Sequence, residues 1–314
     1  MRVLVTGGAG FLGSTLVDRL LAEGCDVDAI DDLSSGALVN LAEARAQRNR
    51  RFSFHRIDVR SPQLADLVVH RRPEVVFHLA ALVDGRRSVQ RPIHDAEVNV
   101  LGSLNVCEAA VAGGTRKVVF AGSGSTLYGA ADTVPTRESN TRRPLSPYGV
   151  AKKAVGDYLH VYREVHGLEY TDLALAHVYG PRQQPSGGYA VVAVFASLLV
   201  AGRRATLHGD GTQTRDFVFV DDVVDAFVRA AERGGGLLVN VGTGVETSIR
   251  ELHSRVAALA GAPDDPASAA ARDHDPGRSA LDPGRAAIQL GWKPWTSLDD
   301  GLAQAVDWYR ANLR

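Results

Sequence analysis

Tyr148 and Lys152 stand four residues apart, a spacing that places a phenol and an ammonium group on one face of a helix. Free tyrosine, with a pKa of about 10, is a poor proton acceptor at neutral pH. A cation roughly 4 Å away, at an effective dielectric constant of about 20, favours the phenolate by about 4 kcal/mol, or about three pKa units before screening. The pair is therefore suited to withdrawing a proton from a hydroxyl group, although the same spacing also occurs on exposed faces of ordinary amphipathic helices.

A cluster of hydroxyl side chains precedes this pair. Ser123 lies in the segment GSGST, directly after a predicted strand. Open α/β sheets bind their ligands at the carboxyl ends of such strands. We therefore select Ser123 to share the proton of the reacting hydroxyl group, with Ser125 and Thr126 as the other candidates. A serine-rich surface turn is the alternative interpretation.

A glycine-rich segment, TGGAGFLG at residues 6–13, lies between a predicted strand and a predicted helix. Its glycines fit the pattern G-x-G-x-x-G from residue 8 and the related pattern G-x-x-G-x-x-G from residue 7. Glycines let the backbone turn tightly and approach a pyrophosphate, whose charge then meets the helix N-terminus. The strand–turn–helix context predicts a dinucleotide site, with Gly7, Gly10, Phe11 and Leu12 in contact with the cofactor.

Acidic residues follow the next two predicted strands. Asp31 stands where a carboxylate binds the adenosine ribose hydroxyls of a dinucleotide. Asp32 follows it, with no arginine at hand to neutralise a 2′-phosphate, so the pattern favours NAD over NADP. Asp58 and Val59 follow the third predicted strand, where they either line the adenine or form a turn with a core valine.

The elements that position these side chains alternate between strands and helices in the first half of the chain. Short apolar runs predict strands at residues 2–6, 26–30, 52–57, 75–79, 117–121 and 170–176. Helices are predicted at residues 11–23, 62–71, 95–112 and 148–166. This alternation predicts an α/β fold of the Rossmann type, with a doubly wound parallel sheet covered by helices.

The second half of the chain is less regular and predicts a smaller α/β domain that binds the substrate. We place the NAD-binding Rossmann domain at residues 1–170 and the nucleotide-sugar-binding domain at residues 171–314, with a return crossing to the first sheet near residues 215–240. Ser248 and Glu251 form a capping box, and Gly261 supplies the end of the same helix. The stretch at residues 262–271, rich in Pro, Asp and Ala, predicts a surface loop.

Composition argues against several classes of function. The 314 residues are 45% hydrophobic and 23% charged, as in soluble globular proteins, and 35 basic residues face 36 acidic ones. No bulk positive field therefore suggests a nucleic acid or a membrane surface as partner. The longest apolar run, residues 190–201, is broken by Ser197 and falls short of the about 20 residues that span a membrane. Two cysteines and no recognisable signal peptide predict a cytoplasmic protein without a metal site.

A set of motifs along nearly the whole chain carries a family resemblance. They are TGGAGFLG (6–13), DDLSSG (31–36), HLAA (78–81), Asn99, Ser123, Tyr148 with Lys152, YGPR (179–182), GDG with RDF (209–217) and LGW (290–292). Together they resemble the extended short-chain dehydrogenase/reductase superfamily. Within it, the chain is most similar to the NAD-dependent nucleotide-sugar epimerases and dehydratases, in particular the UDP-glucose (UDP-galactose) 4-epimerase type.

The resemblance implies roles for further residues. Leu79, Ala80 and Ala81 would line the cofactor, and Asn99 would hold the end of the sheet or the nicotinamide side. A planar guanidinium suits the pyrophosphate of a sugar nucleotide, and two arginines would clamp it. The substrate contacts predicted in this way are Ser125, Thr126, His177, Val192, His208, Arg215, Arg272 and Ser279.

The reaction that the resemblance implies is a transient oxidation. Tyr148, helped by Ser123, would remove the proton from the 4-hydroxyl of a UDP-sugar while the C4 hydride moves to NAD. The 4-keto sugar would then turn over and receive the hydride on its other face. Alternatives are a dehydratase or decarboxylase that shares this step, and a non-catalytic NAD-sensing regulator. Related dehydratases usually carry an Asp-Glu pair just after the active-site Ser or Thr, and its absence here favours epimerisation.

Three residues predicted to contact the substrate differ from those found in many relatives. His177 replaces an asparagine expected to contact the substrate, and it would donate to a phosphate or sugar substituent or only fill space. His208 stands where many relatives have an aromatic residue beside the uracil. Ser279 falls where a bulky residue restricts the sugar pocket in some relatives, so it would leave room for an N-acetyl or carboxylate group.

Relatives of this type pair two helices into a four-helix bundle, which implies a homodimer. The helices concerned are those near residues 95–112 and 148–166. Val100, Leu104, Cys107 and Val111 give the first of them an apolar stripe, but a stripe that faces the chain's own sheet looks the same.

Overall fold

Strands and helices alternate through the first half of the computed structural model, which describes residues 1–47, 51–185, 190–271 and 277–313. The strands are β1 (Arg2–Thr6), β2 (Asp26–Asp31), β3 (Phe52–Arg56), β4 (Val75–His78), β5 (Lys117–Gly122), β6 (Glu169–Leu175), β7 (His177–Tyr179), β8 (Thr206–His208), β9 (Thr214–Arg215), β10 (Phe217–Phe219), β11 (Leu237–Val241), β12 (Thr247–Ser248) and β13 (Ala267–Ala269). The helices are α1 (Phe11–Ala22), α2 (Ala42–Ala46), α3 (Gln63–Arg71), α4 (Gly85–Gln90), α5 (Pro92–Ala96), α6 (Gly102–Gly113), α7 (Gly124–Leu127), α8 (Pro147–His166), α9 (Val191–Val200), α10 (Val220–Ala230), α11 (Ile249–Ala260), α12 (Gly284–Gln289) and α13 (Leu298–Asn312). A 3₁₀ turn at Leu38–Leu41 and a π-helical segment at Glu97–Leu101 complete the elements described.

Seven strands form one sheet in the order β11-β6-β5-β4-β1-β2-β3. All its neighbouring pairs are parallel. Strands β4 and β5 are buried along their whole length, because helices cover both faces of the sheet. The predicted Rossmann-type fold, a doubly wound parallel sheet, is confirmed.

The two faces of the sheet carry separate hydrophobic clusters, because successive strand residues point in opposite directions. Val3 and Val5 of β1 pack in one cluster with residues of α1 and α10, among them Leu16. Leu4, between them, packs in the other cluster with residues of α3, α6 and α8, among them Leu159. Helix α8, which carries the candidate catalytic pair, is therefore held against the sheet along its buried face.

The second half of the chain returns to this sheet. After α10 the chain forms β11, which pairs with β6 from Leu237↔Thr171 to Val241↔Leu175. Short strand pairs β7–β10, β8–β13 and β9–β12 build the remaining part, together with α9, α11 and α13, which pack against one another. The division of the chain at residue 170 stays a prediction.

The observed local structure agrees with some of the sequence predictions and differs from others. The helix predicted at residues 95–112 is confirmed, although the segment Glu97–Leu101 within it is π-helical. The predicted loop at residues 262–271 is wrong in part, because β13 pairs in parallel with β8, a tertiary contact that overrides the weak strand propensity of alanine. The cap at Ser248 is confirmed, since Ser248 Oγ accepts the Glu251 amide at 3.1 Å and Gly261 closes the helix with φ +70°. The Glu251 carboxylate binds Arg255, so the reciprocal half of the capping box stays a prediction.

Candidate active site

The predicted catalytic and cofactor-binding residues lie along the carboxyl edge of the parallel sheet. Strands β1, β2, β4 and β5 end there at Thr6, Asp31, His78 and Gly122. Helix α8 is tied to the same edge, because Lys152 Nζ donates to the Ala121 carbonyl at 2.9 Å. Loops after four neighbouring strands thus border a single candidate site.

The glycine-rich turn after β1 forms a cradle without side chains. Gly7 has φ +68°, and a Cβ atom there would lie 2.8 Å from the Ala80 amide nitrogen. A Cβ on Gly13 would collide with the Gly7 carbonyl oxygen. Gly10 is the N-cap of α1, and no side chain of the described residues caps this helix end. The amides of the first turn, including those of Phe11 and Leu12, have no partners within the helix, as at any helix N-terminus. This cradle fits the pyrophosphate of a dinucleotide.

Asp31 lies against that cradle at the end of β2. Its carboxylate accepts the Ala9 amide at 3.0 Å and the Leu33 amide at 2.8 Å. Burial raises the pKa of Asp31, although these two hydrogen bonds oppose the shift. A carboxylate offers about four acceptor positions, so capacity remains for the ribose hydroxyls of a dinucleotide.

The neighbouring Asp32 lies on the exposed side of the same loop, where its Oδ1 accepts the Ser34 amide at 2.8 Å. The expectation that no arginine is at hand is wrong. Arg56, at the end of β3, donates from Nε to the Asp32 carbonyl at 3.4 Å. The sequence near Asp32 could not show that Arg56 lies close to it, because the parallel pairing of β2 with β3 brings the two residues together.

Asp58 and Val59, after β3, are engaged within the protein. The Asp58 carboxylate binds Arg60 at 2.5 Å, and this hydrogen bond lowers the pKa of Asp58. Val59 is buried, and its carbonyl accepts a hydrogen bond from Asn105 Nδ2 at 2.6 Å. The structure places both at the border of the site, and contact with adenine stays a prediction.

A buried chain of hydrogen bonds links the cradle to α6 through His78. Burial lowers the pKa of His78 to about 3, so its imidazole is neutral. Ser103 Oγ donates to the Asn99 carbonyl at 2.7 Å and so accepts from His78 Nε2, 2.8 Å away. His78 Nδ1 is then the acceptor for the Thr6 hydroxyl, at 2.7 Å. Thr6, His78 and Ser103 therefore all donate in one direction, from β1 towards α6, and the Asn99 carbonyl is the last acceptor.

The segment after β4 is anchored to the same threonine. The amides of Leu79 and Ala80 both donate to Thr6 Oγ1 at 3.1 Å. Ala81 follows them and is half-buried, as they are. These three residues, predicted to line the cofactor, are therefore held beside the glycine cradle.

Asn99 fixes the next part of this loop. Its Oδ1 accepts the Leu82 amide at 2.8 Å, and its Nδ2 donates to the Leu82 carbonyl at 3.0 Å and to Asp95 Oδ1 at 2.9 Å. The side chain sits in the π-helical segment, a distortion often found at functional sites. Asn99 therefore acts on the candidate site by holding the loop.

The candidate catalytic pair is buried. Tyr148 is 8% exposed and Lys152 4%, and Lys152 Nζ lies 5.8 Å from the centre of the Tyr148 ring. The ammonium also lies 4.5 Å from the centre of the Phe120 ring. Burial lowers the pKa of Lys152 to about 8, opposed by the charges of Asp172 and Asp95. The cation is thus fixed between the sheet and the tyrosine.

The predicted hydroxyl cluster is a connected group at the start of α7. Thr126 Oγ1 donates to Ser123 Oγ at 2.9 Å, and Ser125 Oγ lies 3.3 Å from the same atom. Because Ser123 accepts from Thr126, its own proton is available for another acceptor. Ser123 is 8% exposed and stands next to the end of β5.

Ser88 is a site residue that the sequence analysis missed. Its hydroxyl accepts the backbone amide of Tyr148 at 3.2 Å and donates to the Gly85 carbonyl at 2.6 Å. No local pattern marks it, since its partner lies on a distant helix that only the fold brings close.

Arg215 and His177 come together in the second half of the chain. Arg215 is 6% exposed and donates to the Thr214 carbonyl at 2.6 Å. The His177 ring packs edge-on against Phe217, 6.0 Å between ring centres, and its buried Nδ1 has no hydrogen-bond partner in the described part of the chain. Burial, with Arg215 nearby, lowers the pKa of His177 to about 3. A neutral imidazole beside a guanidinium suits a phosphate or a sugar hydroxyl.

The remaining predicted substrate contacts are distributed differently. His208 Nδ1 donates to the Ala270 carbonyl at 3.3 Å. The Val192 side chain is 2% exposed and belongs to the hydrophobic core. Only its backbone amide, in the first turn of α9, could therefore make the predicted contact with the substrate. Ser279 is half-buried before Ala280. Arg272 lies outside the described residues.

The described residues contain no group of three or more His, Cys, Asp or Glu side chains able to hold a metal ion. Within the same ranges, no helix has the length and apolar character needed to cross a bilayer.

Comparison with known proteins agrees with this combination of fold and site. The model of the NAD dependent epimerase/dehydratase family matches residues 3–242. The chain therefore belongs to the NAD-dependent epimerase/dehydratase family. Among individual proteins, it is similar to the UDP-glucose 4-epimerase of Mycolicibacterium smegmatis, with 50% identity over 311 residues and 99% of each chain covered.

Solved structures of related proteins superpose along the whole chain. A UDP-glucose 4-epimerase from Thermotoga maritima, determined with UDP-glucose, is 39% identical, with a TM-score of 0.95 and 100% of both chains covered. A UDP-glucose 4-epimerase from Thermus thermophilus, determined with NAD, is 38% identical, with a TM-score of 0.92 and coverage of 99% of this chain and 100% of the other.

Proposed function

We propose that this protein is an isomerase that inverts C4 of a nucleotide sugar, a UDP-hexose, with NAD as its cofactor. The observation that carries the proposal is the buried Tyr148–Lys152 pair, fixed at the sheet edge that also bears the glycine cradle. Extensive similarity to UDP-glucose 4-epimerases supports the same activity.

The glycine cradle and Asp31 bind the cofactor in this proposal. The first-turn amides of α1 meet the pyrophosphate, and the Asp31 carboxylate takes the adenosine ribose hydroxyls. Leu79, Ala80 and Ala81 cover the cofactor from the β4 side. Held by these residues, NAD would supply the hydride acceptor, and later the hydride donor, that the reaction at C4 requires.

Tyr148 and Ser123 handle the proton in this proposal. The Tyr148 phenolate accepts the proton of the 4-hydroxyl, and Ser123 shares it, because its own proton remains available for donation. The Lys152 ammonium favours the phenolate form. On the return step the Tyr148 hydroxyl gives the proton back to the oxygen at C4. Because the 4-keto sugar has turned by then, C4 regains its hydrogen on the opposite face.

The nucleoside diphosphate supplies the binding energy that retains the 4-keto sugar while it turns. We assign the pyrophosphate to Arg215 and Arg272 and a neighbouring phosphate or sugar oxygen to His177. Ser125 and Thr126 border the sugar, and His208 stands beside the base. Ser279 leaves space for a substituent larger than a hydroxyl group.

We infer that the protein forms a homodimer, through a surface other than the apolar stripe around Cys107. Cys107 is 1% exposed, and Leu104 and Val111 pack against the same core cluster, so this part of the stripe faces the sheet. The exposed apolar side chains on these helices include Ile93, Leu101, Val150, Val161 and Val165. Residues 150, 161 and 165 share one face of α8, since their spacings of 11 and 4 match the helical repeat.

We also place the protein in the cytoplasm. Cys25 and Cys107 are both free and buried, which suits a reducing compartment. Fractionation of cells that carry a tagged chain tests this placement, with a soluble cytoplasmic fraction as the expected result.

The purified protein, incubated with a panel of UDP- and dTDP-sugars, tests the proposed reaction. NMR of the products is expected to show the C4 epimer of at least one UDP-hexose. A 4-keto-6-deoxy product would instead identify a dehydratase, and a pentose product a decarboxylase. The segment after Ser123, which has hydroxyl groups and no adjacent carboxylate, supports epimerisation.

A further inference from the structure

Asp172, in the middle of β6, is a buried carboxyl group that the proposed reaction does not use. It is 5% exposed, and its Oδ1 has no hydrogen-bond partner in the described ranges. Burial of a carboxylate is costly unless hydrogen bonds or a nearby charge compensate it. A nearby positive charge is therefore the expected compensation for burial of the Asp172 carboxylate.

Two glycines on neighbouring elements leave room for this carboxyl group. A Cβ on Gly156 of α8 would lie 2.8 Å from Asp172 Oδ2. A Cβ on Gly122 of β5 would collide with Asp172 Oδ1. The carboxyl group therefore occupies a slot between the sheet and α8 that side chains at these two positions would close.

The same slot opens towards Lys152. Strand register places His78, Phe120 and Asp172 side by side on β4, β5 and β6, with their side chains on one face and about 4.8 Å between strands. Lys152 Nζ lies 4.5 Å from the centre of the middle ring. Gly156, which contacts the carboxyl slot, follows Lys152 by one helical turn on the same face of α8. The ammonium therefore lies over Phe120, whose partner on the neighbouring strand is Asp172.

We propose that Asp172 is the buried counter-charge of Lys152, a positioning residue that keeps the ammonium protonated beside Tyr148. The proposal rests on the function proposed for the Tyr148–Lys152 pair. It assigns the acid no contact with substrate or cofactor. Its effect on the reaction passes through Lys152 alone.

Other charged and titratable groups face the two members of this pair. Asp95, from α5, also acts on Lys152, and the neutral His78 lies on its other side. Arg142 and Asp157 act on Asp172 with opposite signs. Burial raises the pKa of two phenols, Tyr128 and Tyr170, and the Asp172 charge adds to both shifts.

The titration of both groups agrees with this geometry. Burial raises the pKa of Asp172 to about 7, and the Lys152 charge opposes the shift. From pH of about 4 to about 7 the folded protein holds this proton more tightly than the unfolded chain, so ionisation of Asp172 lowers the free energy of unfolding as the pH rises. Lys152, whose pKa is lowered to about 8, binds its proton less tightly in the folded protein, so its contribution rises above that pH.

A double-mutant cycle on thermal stability tests the pairing without any reference to catalysis. At pH 8, with NAD present, Lys152→Met is expected to lower the Tm because it leaves the Asp172 carboxylate unpaired. Adding Asp172→Asn in that background is expected to restore part of the lost Tm. Additive effects of the two substitutions would overturn the proposal even if the protein proved to be an epimerase.

The pH dependence of turnover tests the consequence for Lys152. An opposite charge at this range shifts a pKa by at least about one unit, so Asp172→Asn is expected to move the alkaline limb of kcat about one pH unit lower, with KM nearly unchanged. Asp172→Ala is expected to move it equally. Asp66→Asn, which removes an exposed carboxylate on α3, serves as the control and should leave the profile in place. The proposal would be overturned if the pH profiles of kcat for the Asp172 variants coincided with that of the unsubstituted protein.

Discussion

Ser88 Oγ accepts the backbone amide of Tyr148 at 3.2 Å, so a serine of α4 caps the first turn of the candidate catalytic helix. The same hydroxyl donates to the Gly85 carbonyl, which closes the first turn of α4. Ser146 provides a second cap, accepting the Gly149 amide at 3.2 Å. The loop after β4 and the start of α8 therefore form one connected unit around Tyr148, and the proposed chemistry depends on this unit.

Gly13→Ala tests the glycine cradle. The new Cβ collides with the Gly7 carbonyl oxygen, and relief of an overpacked contact costs about 1–3 kcal/mol. We expect NAD binding to weaken by about 10- to 100-fold in a calorimetric titration. Gly277→Ala is the matched control, because a Cβ there has nothing within 4 Å. Equal affinity of Gly13→Ala and the unsubstituted protein would contradict a cradle that holds the pyrophosphate.

His177→Phe tests the neutral imidazole next to Arg215. Loss of one neutral hydrogen bond is expected to raise KM for a UDP-sugar about fivefold. Since the pKa of His177 is lowered to about 3, the unfolded chain binds its proton at a higher pH than the folded protein does. The free energy of unfolding therefore falls as the pH drops below about 6.5, and the Phe variant is expected to lose that part of the slope. Denaturant unfolding between pH 4 and 7 measures it, and identical slopes would refute the buried neutral state.

Ser279→Tyr tests the proposed space in the sugar pocket. A bulky ring is expected to reduce kcat/KM for an N-acetylated UDP-sugar by about tenfold more than for UDP-glucose. Steady-state kinetics on both substrates provide the comparison within one variant. If both rates fell by the same factor, Ser279 would not border the part of the pocket that distinguishes them.

Val161→Glu tests the proposed dimer face. A charge in the middle of an apolar interface is expected to convert the dimer to a monomer in sedimentation equilibrium. Ile288→Glu is the control, since Ile288 is also an exposed apolar residue but lies on α12, outside this face. A monomeric unsubstituted protein, or a dimer that survives Val161→Glu, would remove the argument for this face.

The sequence alone was sufficient for elements whose signals are local. The strand bounds of β1 and the cap at Ser248 match because both depend on short-range alternation and on a side chain within one helical turn of its partner. Asp31 was recognised for a similar reason, since the end of a strand fixes where its side chain lies. Tyr148 and Lys152 needed only the helical repeat.

Features that depend on pairing between distant segments were not predicted. Arg56 reaches the loop after β2 only because β3 lies beside β2. Asp172 is the one charged residue of the predicted strand at residues 170–176, and only the register with Phe120 brings it near Lys152. The Cys107 stripe had two equally consistent orientations, and burial against the sheet distinguishes them.

The fate of the hydrogen at C4 tests the central claim most directly. UDP-glucose deuterated at C4 is incubated with the protein, and NMR follows the label in UDP-galactose. We expect the label to stay at C4 of the product, because the hydride is taken up and returned without exchange with water. Tyr148→Phe is expected to form no product while still binding NAD and UDP, and Tyr158→Phe, an exposed position on the same helix, to behave normally. Loss of the label to solvent, or full turnover by Tyr148→Phe, would contradict the account.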